Sequence, residues 1–93
     1  VVNYEIRSNR ESGFGRYDIM LIPKRTQLPA IVIEFKVHNA GREKSLTDTV
    51  ESALKQIADK NYDAELLARG ISTDRIRHYG FAFEGKKVLI MEQ

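Results

Sequence analysis

The strongest periodic signal in the chain is helical. Leu46, Val50, Ala53, Leu54 and Ile57 fall on one face of a helix, with Asp48, Glu51, Lys55 and Asp59 on the other. Ser45, followed three positions later by Asp48, resembles a capping box with the shorter acid, so a helix is expected from about Leu46 to Lys60. Most of the surrounding sequence alternates with period two. "VVNYEIRS" sets Val2, Tyr4 and Ile6 against Asn3, Glu5 and Arg7, a half-exposed strand; "NRESGFG" reads as a turn or loop; "RYDIMLI" is a second strand ending at Pro23. "PKRTQLP" is a connection of hairpin length, and "AIVIEFKV" is a third strand, the richest in β-branched residues. "DAELLARG" suggests a short second helix stopped by Gly70, and "RIRHYGFAF" and "KKVLIME" form two strands around a tight "EGK" turn. Three strands, a long helix, a short helix and two strands make an α+β chain.

Its 93 residues allow one small domain, residues 1–93, with no linker to divide it. Hydrophobic residues at 42% and charged residues at 30% place it far from the composition of disordered chains. The absence of cysteine excludes a disulfide framework and a thiolate zinc site, which makes a reducing cytoplasm the simplest compartment. No apolar run approaches the roughly 20 residues of a membrane span, and nothing resembles a signal peptide, so no membrane is expected as a partner. A net charge of +2 permits contact with a polyanion without demanding it. The chain begins inside a strand, as an excised fragment would.

Within the third strand, Glu34 and Lys36 fall on one face. If the second and third strands form a hairpin whose loop is centred near Thr26, Asp18 stands opposite Glu34, with β-carbons roughly 5 Å apart. Two carboxylates so placed repel each other, and Met20 and Ile22 share the face of Asp18, so solvent is not an obvious remedy. A divalent cation is: Mg²⁺ takes hard oxygen ligands, often only one or two of them protein carboxylates. Lys36 would bring positive charge to the same patch. The competing explanation is an exposed polar face with a weak ion pair, worth about 0–1 kcal/mol. Spacing alone leaves the two readings level.

Four blocks break that tie. "SNRESGFGRYDIMLIPKR", "AIVIEFKV", "ALKQIADKNYDAELLARGI" and "YGFAFEGKKVLI" resemble, in order and spacing, the C-terminal nuclease-like domain found behind an AAA-ATPase-like domain in many bacterial and archaeal proteins, a branch of the PD-(D/E)XK nuclease superfamily. The resemblance implies a restriction-endonuclease-like α+β fold: a central mixed sheet of four to five strands flanked by helices, in the order β-β-β-α-α-β-β, with the family's N-terminal helix missing. It implies a Mg²⁺-dependent nuclease, with Mn²⁺ able to substitute, acting on nucleic acid and on DNA before RNA. Asp18 and Glu34 would hold the metal together with the backbone carbonyl of Phe35, and Lys36 would orient or help deprotonate the attacking water, or stabilise the phosphorane-like charge. Gln56 corresponds to the glutamine that many members place near the site, with Tyr62 as its companion; the spacing of six residues replaces the commoner four, where Lys60 stands. Arg10 and Arg16, flanking the glycine loop, are expected with Lys60 and Tyr62 to contact nucleic acid. Tyr17 replaces the proline of the motif's "PD". An AAA-ATPase-like domain in the same polypeptide is the implied partner, and a homo-oligomer stays open.

The alternative is a catalytically inactive module that keeps the nuclease fold for nucleic-acid binding or for contact with the ATPase domain. The intact Asp18, Glu34 and Lys36 set argues against it, since a decayed copy could lose any of them without penalty to folding. His38 and His78 are expected as surface or half-buried residues.

Overall fold

A computed structural model describes residues 3–13, 15–25 and 27–93; the side chain of Arg16 falls outside the description, as do Val2 of the first alternation and Thr26 at the expected loop centre. Five strands and two helices follow one another as β1 (Tyr4–Ser12), β2 (Gly15–Pro23), β3 (Ala30–Val37), α1 (Leu46–Asp59), α2 (Ala64–Ala68), β4 (Ile76–Glu84) and β5 (Lys87–Glu92), with a 3-10 turn at Thr73–Arg75 ahead of β4. They form one mixed sheet in the order β1-β2-β3-β4-β5. Consecutive strands pair antiparallel except β3 and β4, which are parallel because the connection between them is the long one that carries the helices. The expected α+β class and mixed sheet are what the chain adopts. No helix among the described residues is long and apolar enough to cross a membrane.

Both helices lie on one face of the sheet, and the core fills the space between. Tyr17, Met20, Ile22, Ala30 and Val32 from the strands meet Leu54, Ile57, Tyr62 and Leu66 from the helical side. α1 comes closest at Gly80 of β4, where an added β-carbon would sit 2.9 Å from the Val50 carbonyl oxygen and 3.2 Å from the Ala53 β-carbon. Glycine there permits the close approach of helix to sheet.

Local signals behave largely as expected. Ser45 caps α1 by accepting the Asp48 N–H at 3.3 Å, but Asp48 does not complete the box: its carboxylate accepts the Lys44 N–H instead. Gly70, at φ +88°, ends α2, and Gly85, at φ +59°, opens the two-residue turn between β4 and β5.

β1 departs from expectation in two ways. Asn9 to Ser12 form strand rather than loop, because Arg10, Glu11 and Ser12 pair with Tyr17, Arg16 and Gly15; only Asn9, at φ +52°, drops out of the ladder. Inter-strand hydrogen bonds there outweigh a composition rich in turn formers. The alternation also points the unexpected way, with Ile6 55% exposed and Arg7 turned toward α2. Arg7 bonds Glu5 and Glu65 at 2.6 Å each, and Arg69 approaches the same two acids at 3.4 and 3.8 Å. A four-residue ion-pair network thus fastens α2 to the edge strand.

Candidate active site

The ladder between β2 and β3 is three pairs long: Ile19 with Ile33, Met20 with Val32, Leu21 with Ile31. One more step along it would set Asp18 opposite Glu34, the register expected from a loop centred near Thr26. At that step the strands part. Asp18 accepts the backbone N–H of Phe35 through Oδ2 at 2.8 Å, so a carboxylate takes over an amide that the ladder no longer pairs. Beyond this point the β1–β2 hairpin leaves β3 and lies against the link between α1 and α2. Ser12 Oγ donates to the Tyr62 carbonyl oxygen at 2.8 Å and accepts the Glu65 N–H at 3.0 Å. A β-carbon on Gly13, already at φ +63°, would collide with the carbonyl oxygens of Lys60 and Asn61.

Glu34 sits in the resulting notch, 5% exposed. Gln56, from the third turn of α1, donates through Nε2 to Glu34 Oε2 at 2.8 Å and to the Tyr62 hydroxyl at 2.9 Å. One amide nitrogen with two protons thereby ties the acid to the tyrosine. Tyr62 is held in turn by an edge-on contact with Tyr17, ring centroids 6.2 Å apart. The other carboxylate oxygen, Glu34 Oε1, is buried and has no hydrogen-bond partner among the described residues. Burial, then the neighbouring charge of Asp18, push the Glu34 carboxyl up to about 7, against the opposing pull of Lys36. Such a group is short of a proton or of a cation.

Asp18, Glu34, Gln56 and Tyr62 are therefore gathered at one notch, and Lys36 is near enough for its charge to act on Glu34. Lys36 also lines a groove of about 660 Å³ that runs past Asn39, Arg42 and Ser52. The role expected for Tyr62 in touching nucleic acid meets an obstacle: the residue is 1% exposed, its ring packed in the core, so its part is to hold Gln56. Lys60 is exposed at the end of α1 with its stem near Gly15, and Arg10 is exposed on β1; neither is drawn into the notch. Arg16 is placed only by its backbone, opposite Glu11.

Both histidines serve the frame. His38 Nδ1 lies 2.7 Å from Thr49 Oγ1, whose hydroxyl donates to Glu43, and this chain fastens the β3–α1 loop. His78 Nε2 lies 2.8 Å from Asp63, tying the start of α2 to β4. Sequence reading missed Ser12 as part of the site's support. Its partner Tyr62 is 50 residues away, and no periodicity links the two.

The family model of the PD-(D/E)XK nuclease superfamily matches residues 1–93. The chain belongs to this superfamily. Curated proteins give no match. Superfamily members generally use divalent metals and bind nucleic acid, and the donor set suits a hard cation: two carboxylates with one oxygen buried and unsatisfied, and no sulfur. Among the described residues no group of three or more His, Cys, Asp or Glu side chains converges, so a cation at this PD-(D/E)XK notch would complete its shell from backbone, water and substrate oxygens.

Proposed function

We propose that this chain is the nuclease module of a Mg²⁺-dependent phosphodiesterase acting on DNA, with Asp18, Glu34 and the Phe35 carbonyl holding the metal. The observation that carries the reading is Glu34 Oε1 beside Asp18, buried and without a hydrogen-bond partner among the described residues. When bound, the ion supplies Lewis-acid polarisation of the scissile phosphate and lowers the pKa of water. The protein supplies the rest. Gln56 fixes the rotamer of Glu34 by bonding Oε2, which leaves Oε1 buried with no partner among the described residues, and Tyr62 keeps Gln56 from turning away. Lys36 places a positive charge where water attacks phosphorus and where charge accumulates on the phosphoryl oxygens as the P–O bond breaks. The site is envisaged at the C-terminal end of a longer polypeptide that carries an AAA-ATPase-like domain.

Plasmid nicking and single-strand cleavage by the longest natural polypeptide, with Mg²⁺ or Mn²⁺ titrated in, test the reading. Metal-dependent cleavage that Asp18→Ala and Glu34→Ala both remove is expected. No cleavage, or cleavage indifferent to both substitutions, contradicts it; salt-dependent DNA binding that needs no metal and survives Asp18→Ala would make the domain a binding module instead.

A further inference from the structure

At the Pro23 end of β2, away from the notch, a cavity of about 380 Å³ is walled by Lys24, Arg25, Arg69 and Arg75 over an apolar floor that includes Ile22 and Ile71. Among the described residues every ionisable side chain that lines it is cationic, in a chain whose 15 basic residues nearly balance 13 acidic ones. Two of the four are held in place. Arg75 donates to the Leu28 carbonyl oxygen at 2.7 Å, and Arg69 leans on Glu5 and Glu65. Each guanidinium keeps further N–H donors beyond those contacts. Lys24 and Arg25 stand exposed on the loop that follows β2. Like charges around one hollow repel each other, less so at Arg69 where Glu5 and Glu65 lie close, and a shared anion turns the repulsion into attraction. Forked guanidinium donors match the oxygens of a phosphate.

From Asp18 to Pro23 β2 advances about 17 Å, and the face between them is buried core under the helices, so a nucleic-acid strand that reaches both points passes around it. Phosphates recur about every 3.4 Å along the axis on one strand of a DNA duplex, so that span takes at least about five nucleotides. We propose that this cavity holds a backbone phosphate of the nucleic-acid substrate, at least about five nucleotides from the scissile one. Lys24, Arg25, Arg69 and Arg75 then form a second anchor that sets the register of the strand in the notch. This rests on the nuclease reading above and adds a length requirement to it: the substrate is a polynucleotide that extends past the cut, not a short oligomer.

The test measures duplex affinity against salt for the longest natural polypeptide carrying Asp18→Ala, which blocks cleavage. That protein is compared with the same protein carrying Lys24→Ala and Arg25→Ala, and with a charge-matched control carrying Lys86→Ala and Lys87→Ala on the β4–β5 turn. Loss of the one phosphate held there lowers the slope of log K against log salt by about 0.9. That drop is expected for the cavity variant alone, together with about tenfold or greater weakening at low salt that is seen only with duplexes reaching at least about five base pairs past the cut. An unchanged slope, an equal change in the control, or saturable binding of a mononucleotide at the cavity with no effect on duplex affinity would overturn the proposal, while metal-dependent cleavage by the protein with Asp18 intact leaves the nuclease reading standing. If that unsubstituted protein neither cuts nor binds nucleic acid, both fall together.

Discussion

The two faces of the sheet are built from alternate residues of the same strands and end in different surroundings. On the face under α1 and α2, Met20, Val32 and Ala82 are fully buried. On the opposite face, Phe35 stays 37% exposed, Val37 77%, Val88 51% and Ile90 49%. Phe35, Phe81 and Phe83 cluster there with ring centroids 5.3 to 6.4 Å apart, and no described residue covers them. An antiparallel sheet with one free face normally puts its polar residues outward. Here the polar chemistry of Asp18, Glu34, Gln56 and the Glu5–Arg7–Glu65–Arg69 network sits on the covered face, and the open face is apolar around Phe35, Phe81 and Phe83, with the Arg77–Glu92 ion pair at one end. Covering polar groups perturbs them. Glu34 is raised to about 7 because α1 closes over it; on the other face of β3 it would meet water and titrate as an ordinary acid.

Substitutions that remove the covered acids should have the largest effect. Glu34→Ala and Asp18→Ala are each expected to lower metal-dependent cleavage by about 10³-fold or more, equivalent to about 4 kcal/mol of transition-state stabilisation, read from initial rates at saturating Mg²⁺. An open-face change that did the same would erase the distinction between the faces.

Packing comes next. Ile57→Ala under the sheet, at 1% exposure, is expected to cost about 2–5 kcal/mol in urea unfolding, whereas Ile90→Ala on the open face is expected to stay below about 1 kcal/mol. Similar costs for the two would mean that something covers the open face in solution.

The pH dependence of the metal-free domain follows from Glu34, with the sign fixed by its raised pKa. The unfolded carboxyl loses its proton near 4.5 and the folded one near 7, so the folded state holds the extra proton between these values. Stability contributed by Glu34 is therefore full below about pH 4.5 and declines as pH rises toward 7, by about 3 kcal/mol in all. Glu34→Gln should flatten this fall, and added Mg²⁺ should oppose it, both read as thermal midpoints across pH 4–8.

The smallest effect is expected at Ser12, whose hydroxyl joins two buried backbone groups. Ser12→Ala should cost about 1–3 kcal/mol and weaken metal binding by loosening Tyr62 behind Gln56. A variant that loses stability with unchanged metal affinity would confine Ser12 to the frame.

What could be read in advance depended on the range of the interaction. α1 announced itself through side chains three and four apart, and Gly70 and Gly85 through the backbone freedom their turns require. The β2–β3 register was legible because the prolines bounding a short loop fix which residues meet across it. Asp18 and Glu34 followed from that register, and the family pattern added Lys36 and Gln56. Tyr62 was legible as a companion of Gln56 but not as a buried one, since a tyrosine at a helix end looks the same whether its ring faces core or solvent. The inward turn of Glu5 and Arg7 was hidden because their acidic and basic partners lie on α2, some 60 residues later. Asn9 to Ser12 looked like loop because turn formers carry no mark of the strand that will pair with them.

The central claim is that the buried Glu34 carboxylate and Asp18 together make a cation site. Calorimetric titration of Mn²⁺ at pH 7, in two buffers of different ionisation enthalpy, tests it most directly. Binding should release about half a proton per ion from a carboxyl that titrates near 7, and Glu34→Ala should abolish both the binding and the release. Equal affinity in Glu34→Ala, or no binding by the parent, would contradict the account.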